Sequence, residues 1–283
     1  MPLVSELLLS GTDRLTSGPH RDRARADAEL LFMYLLKKDR AWLIAHASDE
    51  VGSDLWEPYN KLLQQRYQGE PIQYIRGETE FYRLTFRVTP DVLIPRPETE
   101  HLVEKVVELA PLFSGPRIVD VGTGSGAIAV TLAHEWPDAI VTATDISPSA
   151  LEVARSNARR TGFADRIRFV QGDLLAPIAG EQFDIVISNP PYVSEADRES
   201  LAVEVRAFEP AIALFAGEDG LGIYRRLIPD AFRVLAQGGF IVLEIGHGQE
   251  TSVGALLCEA GFVDVEFIPD LQRISRVAIG KKT

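Results

Sequence analysis

The pattern of apolar and polar positions changes period along the chain. In residues 21–38, Ala24, Ala28, Leu31, Leu35 and Leu36 recur at helical spacing with charges between them, which predicts an amphipathic helix. Helical periods continue over 41–46 and 54–67, so residues 1–75 read as a small helical domain closed by Gly69 and Pro71. Residues 81–94 are rich in aromatic and β-branched side chains, with Thr89-Pro90-Asp91 as a turn signal in the middle. That stretch predicts a β-hairpin, and 76–95 is expected to link two domains. From Arg117 onward, short apolar runs alternate with helical periods, the pattern of a doubly wound sheet. Strands are expected at 117–121, 140–145, 167–171, 183–188, 240–245, 263–268 and 275–279, with helices at 127–135, 148–160, 220–235 and 250–260. Residues 269–274 are too few for a crossover helix, so the last two strands should pair antiparallel. The expected fold class is therefore α/β: a doubly wound, seven-stranded, mostly parallel sheet with an antiparallel last strand, occupying 96–283.

Composition narrows the class. The 283-residue chain has the length of two domains, and an apolar content of 46% fills their cores. A formal net charge of −12 and a pI near 5.0 favour a soluble protein and argue against direct nucleic-acid binding, which recruits a surplus of Lys and Arg. The basic residues Arg21, Arg23, Arg25, Lys37 and Lys38 are interleaved with Asp22, Asp27, Glu29 and Asp39, as on a solvated mixed-charge face. Cys258 is the only cysteine, so no internal disulfide is possible and a reducing compartment is expected. Glu6 interrupts the approach to the apolar run Leu7-Leu8-Leu9, unlike a signal peptide, and no run approaches the roughly 20 apolar residues of a membrane span. A cytoplasmic location without membrane association is expected. His20, His46, His101, His134 and His247 are scattered without a partner pattern, and no metal site is expected.

Candidate chemistry collects at the predicted strand ends. The run Phe183-Asp184-Ile185-Val186-Ile187 leads into Ser188-Asn189-Pro190-Pro191-Tyr192. Each proline fixes its own φ near −65° and pushes the residue before it out of the helical region, so Asn189 and Pro190 are both held extended. The Pro190 carbonyl and the Asn189 side-chain oxygen make two acceptors beside the Tyr192 ring, a combination that fits a planar group carrying an NH2. An Asx-Pro turn that merely stops a strand explains the same five residues equally well. Earlier, the strand Ile118-Val119-Asp120-Val121 runs into Gly122-Thr123-Gly124-Ser125-Gly126, where glycines allow a sharp bend and a close ligand approach. Asp145, about twenty residues on at the end of the next strand, is placed to take both hydroxyls of a ribose. Gly172-Asp173 closes the third strand, within reach of an adenine amino group or ring edge, and Leu174 supplies an apolar floor.

These four strand ends share one crevice, and together they resemble the S-adenosylmethionine-dependent methyltransferases of the seven-stranded fold that methylate a planar nitrogen. Pro95-Arg96-Pro97-Glu98-Thr99-Glu100, Phe208-Glu209-Pro210 and Leu243-Glu244-Ile245-Gly246 narrow the resemblance to the protein-(glutamine-N5) methyltransferases that modify class 1 peptide chain release factors. It covers nearly the whole chain. The resemblance implies S-adenosylmethionine as cofactor, held by Gly122, Thr123, Gly124, Ser125, Gly126, Asp145, Asp173, Leu174 and Asn189. It implies catalysis by Asn189, Pro190 and Tyr192, with Pro191 in the substrate-binding corner. It also implies the glutamine of the Gly-Gly-Gln motif as substrate and the helical domain as the docking surface for the factor. For Pro97 and Glu98, helix capping is a sufficient explanation. An adenine-N6 methyltransferase acting on DNA or RNA would use the same tetrapeptide after base flipping. A non-catalytic cofactor-binding adaptor is the other alternative. Arg83 and Arg273 stand where the family usually has glycine, which puts the hairpin and the final turn in question.

Overall fold

A computed structural model describes residues 1–283, Ala110 through its backbone alone. Contacts divide the chain into two compact units: Met1–Glu78 with Leu201–Phe208, and Thr79–Ser200 with Glu209–Thr283.

The first unit is helical: α1 (Val4–Thr16), α2 (Ala24–Leu36), α3 (Arg40–Ala45), α4 (Ser53–Tyr67), α5 (Ile72–Arg76) and the short α9 (Val203–Phe208). Val4, Leu7 and Leu15 of α1 pack with Ala28, Leu31 and Phe32 of α2 and with Tyr59 and Leu63 of α4. The helix α1 did not stand out in the sequence because only one leucine of its triple run, Leu7, is buried, while Leu9 faces outward. Its period resolves only once Val4, Leu7, Gly11 and Leu15 are seen on one face, Gly11 being small enough for the Tyr59 hydroxyl to lie against it. Asp27 also departs from expectation. Instead of joining a solvated face it is fully buried, accepting from Arg66 Nε at 2.6 Å, while Arg66 Nη1 reaches Glu204 Oε2 at 2.8 Å and the Glu70 carbonyl at 2.9 Å. A buried carboxylate holds only with such a partner, and removing Arg66 would leave it uncompensated.

From Thr79 the second unit opens with a two-stranded hairpin, β1 (Glu78–Phe81), whose first residue is the last of the first unit's opening segment, and β2 (Leu84–Arg87). Its turn is Tyr82-Arg83, with φ of 47° and 63°, not Thr89-Pro90-Asp91. Paired left-handed residues match the twist of two strands joined by a two-residue loop, and Asn-Gly is the usual sequence for it, so Tyr-Arg gives no signal. Thr89-Pro90-Asp91 does turn, through the Val92 N–H to the Thr89 carbonyl at 3.1 Å, but it feeds the irregular segment that follows.

Beyond it come β3 (Arg117–Val121), β4 (Ile140–Asp145), β5 (Ile167–Gln171), β6 (Phe183–Ser188), β7 (Leu235–Glu244), β8 (Val263–Pro269) and β9 (Ser275–Lys281), in spatial order β5-β4-β3-β6-β7-β9-β8. Only β9 runs antiparallel, pairing with β7 and β8. The sheet is thus the expected seven-stranded one. The strand β7 begins earlier than its apolar pattern shows, at Leu235, because Gly238-Gly239 interrupts the pattern; a Cβ at Gly239 would lie 2.8 Å from the Asp184 carbonyl. Alternate residues serve opposite faces: Ile118, Ile185 and Ile187 pack with α6 (Glu100–Leu109) and α7 (Ala127–Glu135), whereas Val119, Val186 and Ile241 pack with α10 (Gly222–Val234) and α11 (Glu250–Glu259). The helix α8 (Pro148–Thr161) starts on the Ser147 cap, whose Oγ accepts from the Ala150 N–H at 3.2 Å. Among the described residues no helix is long and apolar enough to cross a membrane.

Arg83 and Arg273 both adopt left-handed backbone, φ 63° and 62°, which explains why glycine suits these positions. Relief of that strain is partly offset by glycine's greater entropy loss, leaving about 0.5–1 kcal/mol. Arg83→Gly and Arg273→Gly should each raise the thermal midpoint by about 2 °C in a chain of this size, whereas Arg83→Ala should leave it unchanged; thermal unfolding of the three variants measures this.

Candidate active site

The strands β4 and β5 lie to one side of β3, and β6 and β7 to the other, so the winding direction reverses between β3 and β6. At such a switch point the loops leave the sheet in opposite directions and a crevice opens at the strand ends. The register brings Asp120 level with Ile187, and Ser188 Oγ donates to the Val121 carbonyl at 2.7 Å, tying the two strand ends together.

A cavity of about 260 Å³ occupies this position. Gly122, Thr123, Gly124, Ser125, Asp145, Asp173, Leu174, Asn189, Pro190 and Pro191 all line it, so ten of the residues anticipated from sequence converge there. Gly122 and Gly124 have φ of 73° and 55°, and a Cβ on either meets no protein atom within 4 Å. Packing within the protein therefore does not require them to be glycine. The space above them is open to a ligand that approaches the backbone closely. Asp145 supports the bend: its Oδ2 accepts from the Gly124 N–H at 2.8 Å and its Oδ1 from the Ser147 N–H at 2.9 Å. Burial pushes its carboxyl above the ordinary range, partly countered by those backbone donors. Each oxygen retains a lone pair for a further donor. Beneath the loop, Asp120 Oδ2 accepts from Thr123 Oγ1 at 2.6 Å and from the Ala129 N–H at 3.2 Å.

Two anticipated residues lie outside the lining. Gly126 serves packing: at φ 80°, a Cβ there would approach the Ala154 Cβ to 3.0 Å, so it lets α7 and α8 close together. Tyr192 turns away from the crevice, and its hydroxyl donates to Glu244 Oε1 at 3.2 Å. Burial, reinforced by the Glu244 carboxylate, raises its phenol pKa. Its backbone is clamped as well, the Tyr192 carbonyl accepting from Gln249 Nε2 at 3.1 Å. Asp173 lines the cavity but is half-exposed and ion-paired with Arg226, another lining residue.

Several lining residues were given no site role by the sequence, although two of them belong to the motif Pro95 to Glu100. Thr99 and Pro95 come from the segment before α6, and Val92 and Leu93 from the stretch after the Thr89 turn. Thr99 is buried, accepting from Asn189 Nδ2 at 3.0 Å and donating to Glu244 Oε2 at 2.6 Å. Glu244 itself is 2% exposed at the end of β7. Glu244 belongs to the motif Leu243-Glu244-Ile245-Gly246, and its place inside the apolar run Ile241-Val242-Leu243-Glu244-Ile245 is a further clue, since acids are almost never fully buried without partners. Arg96 pairs with the buried Glu209, binding the segment before Thr99 to the segment before Pro210. Among the described residues no group of three or more His, Cys, Asp or Glu is arranged to hold a metal ion.

A seven-stranded sheet with one reversed strand, an open glycine bend, an acid closing the neighbouring strand and an Asn-Pro-Pro-Tyr corner define a methyltransferase of the Rossmann-like class. Residues 98–217 match the methyltransferase small domain, and residues 6–77 match the PrmC N-terminal domain. A methyltransferase from Pyrococcus furiosus shares the fold with a TM-score of 0.54 at 20% identity, over 79% of this chain and 98% of that one. The release factor glutamine methyltransferase of Koribacter versatilis is 45% identical over 259 residues, 91% of each protein. That of Neisseria gonorrhoeae is 45% identical over 260 residues, 91% of this chain and 93% of its own. The chain belongs to the release factor glutamine methyltransferase family.

Packing against the tetrapeptide sets a strict limit at Gly220, where φ is 73° and a Cβ would fall 2.4 Å from the Tyr192 carbonyl. Gly220→Ala should cost about 2–4 kcal/mol through overpacking and backbone strain together, measured by denaturant unfolding.

Proposed function

We propose that the chain transfers a methyl group from S-adenosylmethionine to the side-chain amide nitrogen, N5, of the glutamine in the Gly-Gly-Gln motif of class 1 peptide chain release factors. The observation that carries the reading is the pair of uncommitted acceptors in the cavity wall. Neither Asn189 Oδ1 nor the Pro190 carbonyl takes a hydrogen bond from the described residues, although the Asn189 amide is tethered through its nitrogen. A primary amide presents two coplanar N–H groups, and two acceptor oxygens on adjacent lining residues suit them.

Gly122 and Gly124, with the flanking Thr123 and Ser125, would hold the cofactor against the open bend. The free lone pairs of Asp145 would accept from ribose hydroxyls, and Asp173 and Leu174 would border the base. When bound, S-adenosylmethionine supplies a methyl carbon made electrophilic by its sulfonium. The protein's own contribution is positional and electrostatic. Asn189 Oδ1 and the Pro190 carbonyl accept the two amide hydrogens, fix the plane of the NH2 and stabilise the positive charge that gathers on nitrogen as the new bond forms. Preorganised groups of this kind are worth about 3 kcal/mol each. Alignment in a prepared site supplies several more. No base has to act beforehand, because the alkylated nitrogen sheds its proton to water. Tyr192 supports the corner from behind, through Glu244. The helical unit would dock the rest of the release factor, and a substrate of translation termination supports a cytoplasmic reaction.

Asn189→Ala should lower methyl transfer to a purified release factor by at least about 10²-fold while leaving S-adenosylmethionine affinity within about tenfold. Asp145→Ala should show the reverse emphasis, weakening cofactor affinity about 10- to 100-fold through the lost charged hydrogen bonds. Calorimetric titration beside a radiolabelled methyl-transfer assay separates the two. Equal loss of both properties in Asn189→Ala would assign that residue to the cofactor alone, and no mass gain on an intact factor with the unaltered enzyme would remove the substrate assignment.

A further inference from the structure

We propose that Glu244 and Thr99 are positioning residues that set which atom of the Asn189 amide faces the substrate, through the direction of the hydrogen bonds linking them. The inference rests on the reading of Asn189 Oδ1 as a substrate acceptor.

Thr99 owns one hydroxyl hydrogen, and it is directed to Glu244 Oε2 at 2.6 Å. The other carboxylate oxygen accepts from the Tyr192 hydroxyl at 3.2 Å. An ionised carboxylate can only accept, so Thr99 meets Asn189 as an acceptor, and Asn189 has to present its NH2 there, as it does at 3.0 Å. The amide is planar and two-sided. With Nδ2 tied to Thr99, Oδ1 is left on the opposite arm of a residue that lines the cavity. Nothing on Asn189 itself imposes this choice, since its two arms are nearly equal in shape.

The direction reverses if Glu244 carries a proton on Oε2. The carboxyl then donates to Thr99, the Thr99 hydrogen is freed toward Asn189, and the amide oxygen becomes the better partner for it. The NH2 then turns to the cavity, where it opposes the N–H groups of a substrate amide. Burial pushes the Glu244 carboxyl up to about 7, against the lowering effect of the Thr99 and Tyr192 hydrogen bonds. The other groups facing it are Arg276 of β9, which favours the ionised form, and Glu98 ahead of α6, which opposes it. Tyr224 of α10 donates to the backbone carbonyl of Glu244 at 2.7 Å and does not reach the carboxylate. Ionised Glu244 is the transfer-competent form, so the rate of transfer should fall as pH drops through about 7.

Three variants test the relay against a purified release factor and S-adenosylmethionine, with thermal midpoint and cofactor affinity measured beside the rate. Thr99→Val keeps the shape and removes the hydroxyl, and should lower kcat about 10²-fold, close to the loss in Asn189→Ala. Thr99→Ser restores the hydroxyl and should recover the parent kcat to within about threefold. Glu244→Gln can donate to Thr99, and should lower kcat while abolishing the fall in activity below about pH 7. Parent-like kcat in Thr99→Val, or Glu244→Gln retaining both the rate and the acid limb, overturns the relay even where Asn189→Ala is inactive. An active Asn189→Ala would instead remove the reading on which the relay stands. Should Glu244→Gln fail to fold, the contrast between Thr99→Val and Thr99→Ser decides alone.

Discussion

A parallel strand that ends at a winding reversal leaves polar backbone groups without ladder partners, and the whole crevice follows from how this chain satisfies them. At β6 the problem is reduced by chemistry: Pro190 and Pro191 have no N–H to satisfy, so the strand can end abruptly with carbonyls exposed. At β3 it is met by a bend of glycines whose N–H groups are drawn onto Asp145 and onto the Thr144 carbonyl, which accepts from Gly122 and Thr123 at 2.9 Å each. One strand end therefore presents acceptors and the other an open backbone cradle, and Ser188 bonded to Val121 keeps them adjacent. A ligand with a donor group on one side and a compact, closely approached body on the other is what such a pair can hold.

The motifs outside the tetrapeptide acquire physical meaning from the same constraint. Thr99 and Glu244 lie 145 positions apart in sequence yet share a hydrogen bond beneath the corner, and Arg96 and Glu209 join two segments that contribute Pro95, Thr99 and Pro210 to the cavity lining. A stiff loop is useful only if it is held from behind. Gln249 accepts from the Gly246 N–H and donates to the Tyr192 carbonyl, so the end of the tetrapeptide is fixed through backbone as well as side chain.

Much of this was legible in the chain because the relevant signals are local. An apolar run followed by a glycine or proline corner is read within ten residues, and the seven strands, their closing antiparallel pair and ten of the cavity residues follow from such runs. What escaped is non-local or locally atypical. The turn at Tyr82-Arg83 lacks the residues that favour left-handed backbone, so Thr89-Pro90-Asp91 drew the hairpin away from it. The burial of Asp27 depends on Arg66, two helices later, and no periodicity within α2 announces it. Tyr192 reads as a cavity aromatic from its place beside two prolines, whereas its orientation is decided by Glu244 on β7. Only tertiary partners settle such positions.

Placing acids under both halves of the crevice has a thermodynamic consequence of definite sign. Asp120 beneath the glycine bend and Glu244 beneath the tetrapeptide are each fully buried and pushed up to about 7, desolvation being the larger cause in both. Their folded-state values exceed those of the unfolded chain, so between about pH 4 and pH 7 the folded protein holds protons that the unfolded chain has released. Stability contributed by these two groups is greatest in acid and declines as pH rises through that window. The orientation of Asn189 asks for the opposite, because an ionised Glu244 is what fixes Thr99 as an acceptor. The corner is therefore held in its competent state under conditions where its supporting carboxyl destabilises the fold, and the apolar packing of Leu243, Ile245 and Tyr224 around it has to offset that cost.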